Sequence, residues 1–569
     1  MICSNSIHKN LEEAERRGQL VLCLLSCERS VRKNECGTVL SELHNAGKIS
    51  LVSDINLAAI KALEPIDFWS VVNSFEQAIP GLDCSYQDVL VLVQALAEKA
   101  GSGGATISLI KWCNANPEQA KIIIEESKLL DPVCISFCSF ALQGIGNPDL
   151  AFELMNHTNA AVISAGLRSL GMLNVLDSDL AIRIIDECCN LIKVEKNEEI
   201  RSSAIETAFN TWGKVGTLEA YRQKEFLDVV INEKRGSEII QLSAALFHHQ
   251  KALISETVDR ILRALVDDIS DPAAALRWLD SALHSKDKKW NFTNVLDVIT
   301  AQIPKLNSPI GPSDLYHFCE WVWEDKANAS LLFSRWFLSG QVSLCKLLAK
   351  IVGENRKGSI FVEISKIHLP PELNDQIFFA RKCVGYLWFY EVTAASLLLS
   401  VIKNGHKSAR ETAEELLYNP LLLCYGGDLR NFLEQQITNP SKRISDCVGR
   451  LLERHDSYLS DLKQTSSLVE FLPTPERRRA AGMKDRALND TIQKQAHMNS
   501  ILSQLSSRQT LLYGRKSLCV IYGADGRKIP TVTPLSEFSY STELPRLSVV
   551  DPVGFNEMLM IFRTERRSP

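Results

Sequence analysis

Five cations near the C-terminal end stand out: Arg477, Arg478 and Arg479 in a row, then Lys484 and Arg486. Adjacent guanidinium groups repel, so such a run needs counter-charges, either phosphates or an acidic protein surface. With prolines at 473 and 475 it reads as an exposed linker, and these five residues are the candidates for contact with a partner or a nucleic acid. A second set, Cys23, Cys27, Cys36 and His44, has thiol and imidazole types that could hold zinc. It lacks a paired C-x2-C knuckle and sits beside Leu22, Leu24 and Leu25, so the thiols read as core groups and no metal is expected. Tyr316-His317-Phe318-Cys319-Glu320 and His248-His249 supply titratable groups, but their spacing assembles no base, orienter and nucleophile. The sequence contains no phosphate-binding loop, dinucleotide glycine fingerprint, H-E-x-x-H or G-x-S-x-G. No catalytic residue, cofactor or small-molecule substrate is expected.

The elements that carry these residues belong to a chain of 569 residues with a net charge of −5, 45% hydrophobic and 23% charged. Those values exclude a largely disordered chain, and the charge is too small to imply a surface of one dominant sign. The 16 cysteines have no regular spacing, and several lie in apolar stretches, which favours a reducing compartment. The opening residues lack a basic stretch followed by an apolar core, so no secretory leader is expected. Val384 to Val401 comes closest to a membrane span, but Glu391 interrupts it and a buried helix is the better reading. The expectation is a cytoplasmic protein with no membrane contact.

Helix starts are frequent through the first 470 residues. Asn or Asp precedes Pro at 116–117, 131–132, 147–148, 271–272, 419–420 and 439–440. An Asx side chain can satisfy an orphan N–H, and proline at the first helical position loses no bond. Trp321, Trp323, Phe333, Trp336 and Phe337 fall at helical spacing and read as core. Three segments, beginning near Val162, Ile200 and Ile240, can be overlaid. In that register Gly166, Ala204 and Ala244 occupy one position, 38 and 40 residues apart, where a small side chain lets a partner helix come close. A helix–turn–helix unit near 40 residues long fits an α-solenoid. From 260 to 470 the pattern stays helical, but no period can be fixed.

Glu199-Ile200-Arg201-Ser202-Ser203-Ala204 resembles the second helix of a HEAT-type repeat, with its acidic–aliphatic–Arg–x–x–Ala pattern. The first copy has Ile163 where the Arg falls and the third has Gln241. The resemblance covers roughly residues 132–250. It implies stacked helix pairs and an interaction surface of the kind scaffolds use.

Composition shifts after Leu472. Residues 473–569 hold seven of the 20 prolines, none of the nine tryptophans, and 15 Lys and Arg against 9 Asp and Glu. That balance of +6 leaves −11 for residues 1–472. A helix is expected from Lys484 to about Ser507. Two β-rich runs flank Asp525-Gly526 in the manner of a hairpin, and Met558 to Phe562 reads as a third strand. The expected fold is therefore mainly α: a helical N-terminal region over 1–110, a HEAT-like α-solenoid of antiparallel helix pairs over 111–472, a basic linker and helix over 473–510, and a small β-rich tail over 511–569. The function expected is a non-enzymatic scaffold or adaptor that binds protein partners. Its rivals are a nucleic-acid-associated factor using residues 477–486 and an enzyme with a site in the tail. About 60 residues is small for an independent catalytic domain, so the enzyme ranks last.

Overall fold

The computed structural model describes residues 2–28, 33–100, 103–173, 177–215, 220–232, 236–267, 269–285, 290–354, 360–464, 474–498, 507–513, 516–522, 528–534, 548 and 551–567. The chain is mainly α-helical and divides into two compact units, Met1–Trp336 with Gln341–Asn355, and Phe337–Gly340 with Arg356–Pro569.

In the first unit, helices start where the Asx–Pro pairs lie. Asp131, Asn147 and Asp271 accept hydrogen bonds from the backbone N–H of Cys134 (2.7 Å), Asp149 (3.0 Å) and Ala274 (2.9 Å). Asn116 precedes its proline without making such a bond. The helices then stack in two layers. Gly103–Ala115, Pro132–Ile145, Ala160–Met172, Glu198–Val215, Gly236–His248 and Pro272–Ala282 each pack on the next. Ser178–Val194, Ala220–Asn232, Ser255–Ala264 and Phe292–Gln302 do the same in the other layer. This is a helical-repeat fold.

The small residues of the repeat register divide. Gly166 is at a close approach, since a Cβ there would lie 2.8 Å from the Ala151 carbonyl oxygen. Ala204 is fully buried. Ala244 is half-buried and faces a groove described below. Of the aromatic cluster, Phe333, Trp336 and Phe337 are buried, while Trp321 and Trp323 are half-buried.

Polar ties at about one repeat length run through the unit. In the second layer Arg183 pairs with Asp149 (3.7 Å), Arg222 with Asp186 (2.5 Å), Arg260 with Asp228 and Arg335 with Asp297, while Asn294 donates to Asp259 (2.6 Å). In the first layer Thr207 donates to the Leu167 carbonyl (2.8 Å), and the Phe318 N–H donates to Asp280 (2.9 Å). Arg201, of the HEAT-like string, is buried with Glu238 of the next repeat; its Nη2 donates to Glu238 Oε2 at 2.8 Å and its Nε to the other carboxylate oxygen. The same guanidinium also donates to the carbonyl oxygens of Ile192 and Glu195.

In the second unit, Val384 to Val401 is split between the helices Leu373–Leu387 and Glu391–Asn404. No helix among the described residues is long and apolar enough to cross a membrane. Ties at the repeat length persist, from Arg450 to Glu414 (2.7 Å), Arg454 to Glu415 (2.7 Å) and the Ile364 N–H to Ser400 (2.9 Å). The period that sequence could not fix over 260–470 is visible in these polar contacts.

The expected fold class needs correction in its β-rich tail. The part of 511–569 that packs on the unit is a helix, Pro552–Thr564, and it contains Met558 to Phe562, the run read as a third strand. Asp551 accepts from the Gly554 N–H (2.9 Å) and Pro552 takes the first helical position, so this element starts by the same Asx–Pro device as the repeats. Among the described residues, strands occur only at Ser507–Tyr513, Lys516–Tyr522 and Lys528–Pro534, which pair antiparallel in chain order. The tail is thus not β-rich throughout: what was expected as its third strand is helical.

Replacing Ala204 with Leu should overpack the contact and cost roughly 1–3 kcal/mol, read as a lowered melting temperature. An unchanged melting temperature would show that this register is wrong.

Candidate partner-binding surfaces

The first-layer helices are largely buried, Val162 to Leu167 without a break, but part of their surface stays open. Across Pro132–Ile145 to Pro272–Ala282 that open face forms a groove, with two adjoining hollows of about 640 and 470 Å³ that share Asn210, Lys214, His248 and His249. Its aromatic shelf is Phe247, His248 and Trp278. The Trp278 ring centroid lies 5.6 Å from that of Phe247 and 5.1 Å from that of His248. The amides of Gln143, Asn210 and Gln241 line the remainder with Glu206 and Lys214.

Several of these groups are held in place by neighbouring repeats. Lys214 Nζ donates to the carbonyls of Gly171 (2.8 Å) and Leu173 (2.7 Å), covering the end of the Ala160–Met172 helix. Burial pushes its pKa down. Gln143 donates to the Met172 carbonyl (3.1 Å), while its buried Oε1 accepts no hydrogen bond. Burial, with His248 and Lys214 nearby, holds the His249 pKa at about 4. The groove therefore presents a neutral imidazole, amides that can both donate and accept, and an apolar shelf.

The five cations of the sequence reading lie on one helix, Pro475–Met498. It begins nearer the N-terminus than expected: Thr474 accepts from the Arg477 N–H (3.3 Å) and Pro475 opens the helix, so the arginine run is helical and not a linker. Every described side chain of this helix is exposed, including Arg477, Arg479, Lys484 and Arg486; the side chain of Arg478 lies outside the described residues. At 100° per residue, Arg477 and Lys484 share one side and Arg479 and Arg486 nearly the opposite one. The helix brings them together along its length but not on a single face. Arg479 pairs with Glu476 at 3.5 Å, a fully solvated contact.

The cysteine–histidine series is only partly described, since the Cys27 side chain is outside the described residues. Cys36 is buried, Cys23 is half-buried, and the described residues contain no group of three potential metal ligands. The groove escaped the sequence reading because its members are single residues on successive helices. The Arg–Asp ladder was in principle legible, since one outer helix after another carries both partners, as in Arg183 with Asp186 and Arg222 with Asp228.

Fold and groove define a helical-repeat protein with an open, mixed-polarity face. No family model matches the chain, and no curated protein matches it. Among solved structures, the crystal structure of an engineered protein from the Northeast Structural Genomics Consortium is similar, at 12% identity over 80% of this chain and 98% of that one. The TM-score is 0.20, at which the likeness carries no argument.

The His249 environment has a consequence for stability. The folded state keeps this imidazole neutral down to about pH 4, whereas an unfolded one takes a proton near 6.5. The unfolded state therefore binds more protons in that window, and His249 makes stability fall as pH drops from about 6.5 to 4. Denaturant midpoints of the wild type and His249→Gln should converge over that range, and parallel curves would contradict the assignment.

Proposed function

We propose that the chain is a non-enzymatic scaffold or adaptor whose repeats capture a protein partner in the groove around Trp278 and His248. The observation that carries this reading is the groove itself, which crosses several repeats and joins an aromatic shelf to amide side chains. Aromatic anchors of this kind dominate binding energy at interfaces. The HEAT-type reading of the repeats is supported by Arg201, which holds two successive repeats together through Glu238. Buried cysteines such as Cys113, Cys138 and Cys188, none of them in a disulfide, support a cytoplasmic setting, since they act as small core hydrophobes.

A second reading, a nucleic-acid-associated factor, is favoured by the exposure of Arg477, Arg479, Lys484 and Arg486 on a helix with no buried side chain among those described. One comparison separates the two. A photo-crosslinking residue at Ala244 should trap a protein partner, and Trp278→Ala should cut the yield about tenfold. Under the second reading that cross-link is missing, the chain binds RNA or DNA with affinity falling steeply with salt, and reversing Arg477, Arg478 and Arg479 to Glu abolishes the binding.

A further inference from the structure

The hydroxyl of Thr474 stands at the head of the basic helix Pro475–Met498, inside the run Thr474-Pro475-Glu476-Arg477. A hydroxyl with proline at the next position and arginine at the third is a chemical pattern that a kinase cleft can read. Proline has no backbone N–H, so it suits a cleft that would leave that donor without an acceptor. An arginine three residues on can form a charge-assisted pair with an anionic group beside the cleft. Ser308 and Thr533 also precede proline, but Gly311 and Ser536 stand at the third position.

The structure leaves this hydroxyl within reach. Thr474, Pro475, Glu476 and Arg477 are exposed, as is every other described side chain of the helix. A kinase takes its acceptor residue in extended chain, so the first helical turn has to open. With no buried side chain among those described, that turn is held by local bonds alone, and helices of this kind are marginal. Those bonds are long: Thr474 Oγ1 accepts from the Arg477 N–H at 3.3 Å, Arg479 Nε donates to the Pro475 carbonyl at 3.3 Å, and Arg479 lies 3.5 Å from Glu476. Glu476 and the three arginines after it carry a net charge of +2. A phosphate on Thr474 brings about −2 at neutral pH, at the end of the helix that favours an anion.

We propose that Thr474 is a phosphorylation site for a proline-directed protein kinase, and that its phosphate fixes the first turn of the basic helix while cancelling the local charge. In the reaction Thr474 Oγ1 attacks the γ-phosphorus of ATP. The new O–P bond replaces the one to the β-phosphate, ADP leaves, and the hydroxyl proton passes to a base of the kinase.

The test incubates the full chain with magnesium, ATP and a cyclin-dependent kinase, and locates phosphate by mass spectrometry. Thr474 should be modified well ahead of Ser308 and Thr533. Pro475→Ala and Arg477→Ala should each slow its modification by about tenfold or more. All three residues of the site are exposed, so these variants keep the fold. Phosphorylation should also slow amide exchange over 476–480 by about threefold, with no change in Thr474→Ala treated alike. An unmodified Thr474, or one modified equally fast in both variants, overturns the site. Unchanged exchange in the phosphorylated chain overturns the fixing of the helix start.

Discussion

A buried guanidinium needs a carboxylate, and in this chain the carboxylate is one repeat further along. Arg201 and Glu238 are both almost wholly removed from water, so neither is tolerable without the other. Removing one partner of such a pair typically costs about 3–5 kcal/mol, because the remaining charge stays buried and unmatched. The repeat carrying Arg201 is therefore complete only when its neighbour is folded against it. The shallower ties, such as Asp149 with Arg183 and Asp186 with Arg222, repeat that dependence at lower energy near the surface.

Stacking of this kind also builds the groove. The stacked first-layer helices line it with Trp278, His248 and the amides of Gln143, Asn210 and Gln241. Lys214 belongs to both roles. It ends one helix by bonding its carbonyls, and it adds to the field that keeps His249 neutral. The open face is thus held by the same contacts that hold the array.

Much of this architecture was legible in the sequence, but not the pairings. Gly166 and Ala204 gave the register because a close helix approach tolerates few residue types, and their positions recur. Arg201 was visible as part of a motif, yet its partner is a lone glutamate 37 residues away, with nothing local to mark it. Over 260–470 the period escaped notice because the ties change identity, from Asn294 with Asp259 to Arg335 with Asp297. The tail was misread for a different reason. Met558 to Phe562 is a short apolar run, which periodicity cannot assign to strand or helix, and the deciding signal was Asp551-Pro552 before it. Thr474-Pro475 played the same part for the arginine run.

Stability passes from repeat to repeat through neighbours, and native-state hydrogen exchange of Glu238→Ala tests this dependence most directly. Amide protection should fall first in Glu198–Val215 and Gly236–His248, with Gly103–Ala115 and Val342–Gly353 nearly unchanged. Equal loss of protection across all four helices, or no loss at all, would contradict it.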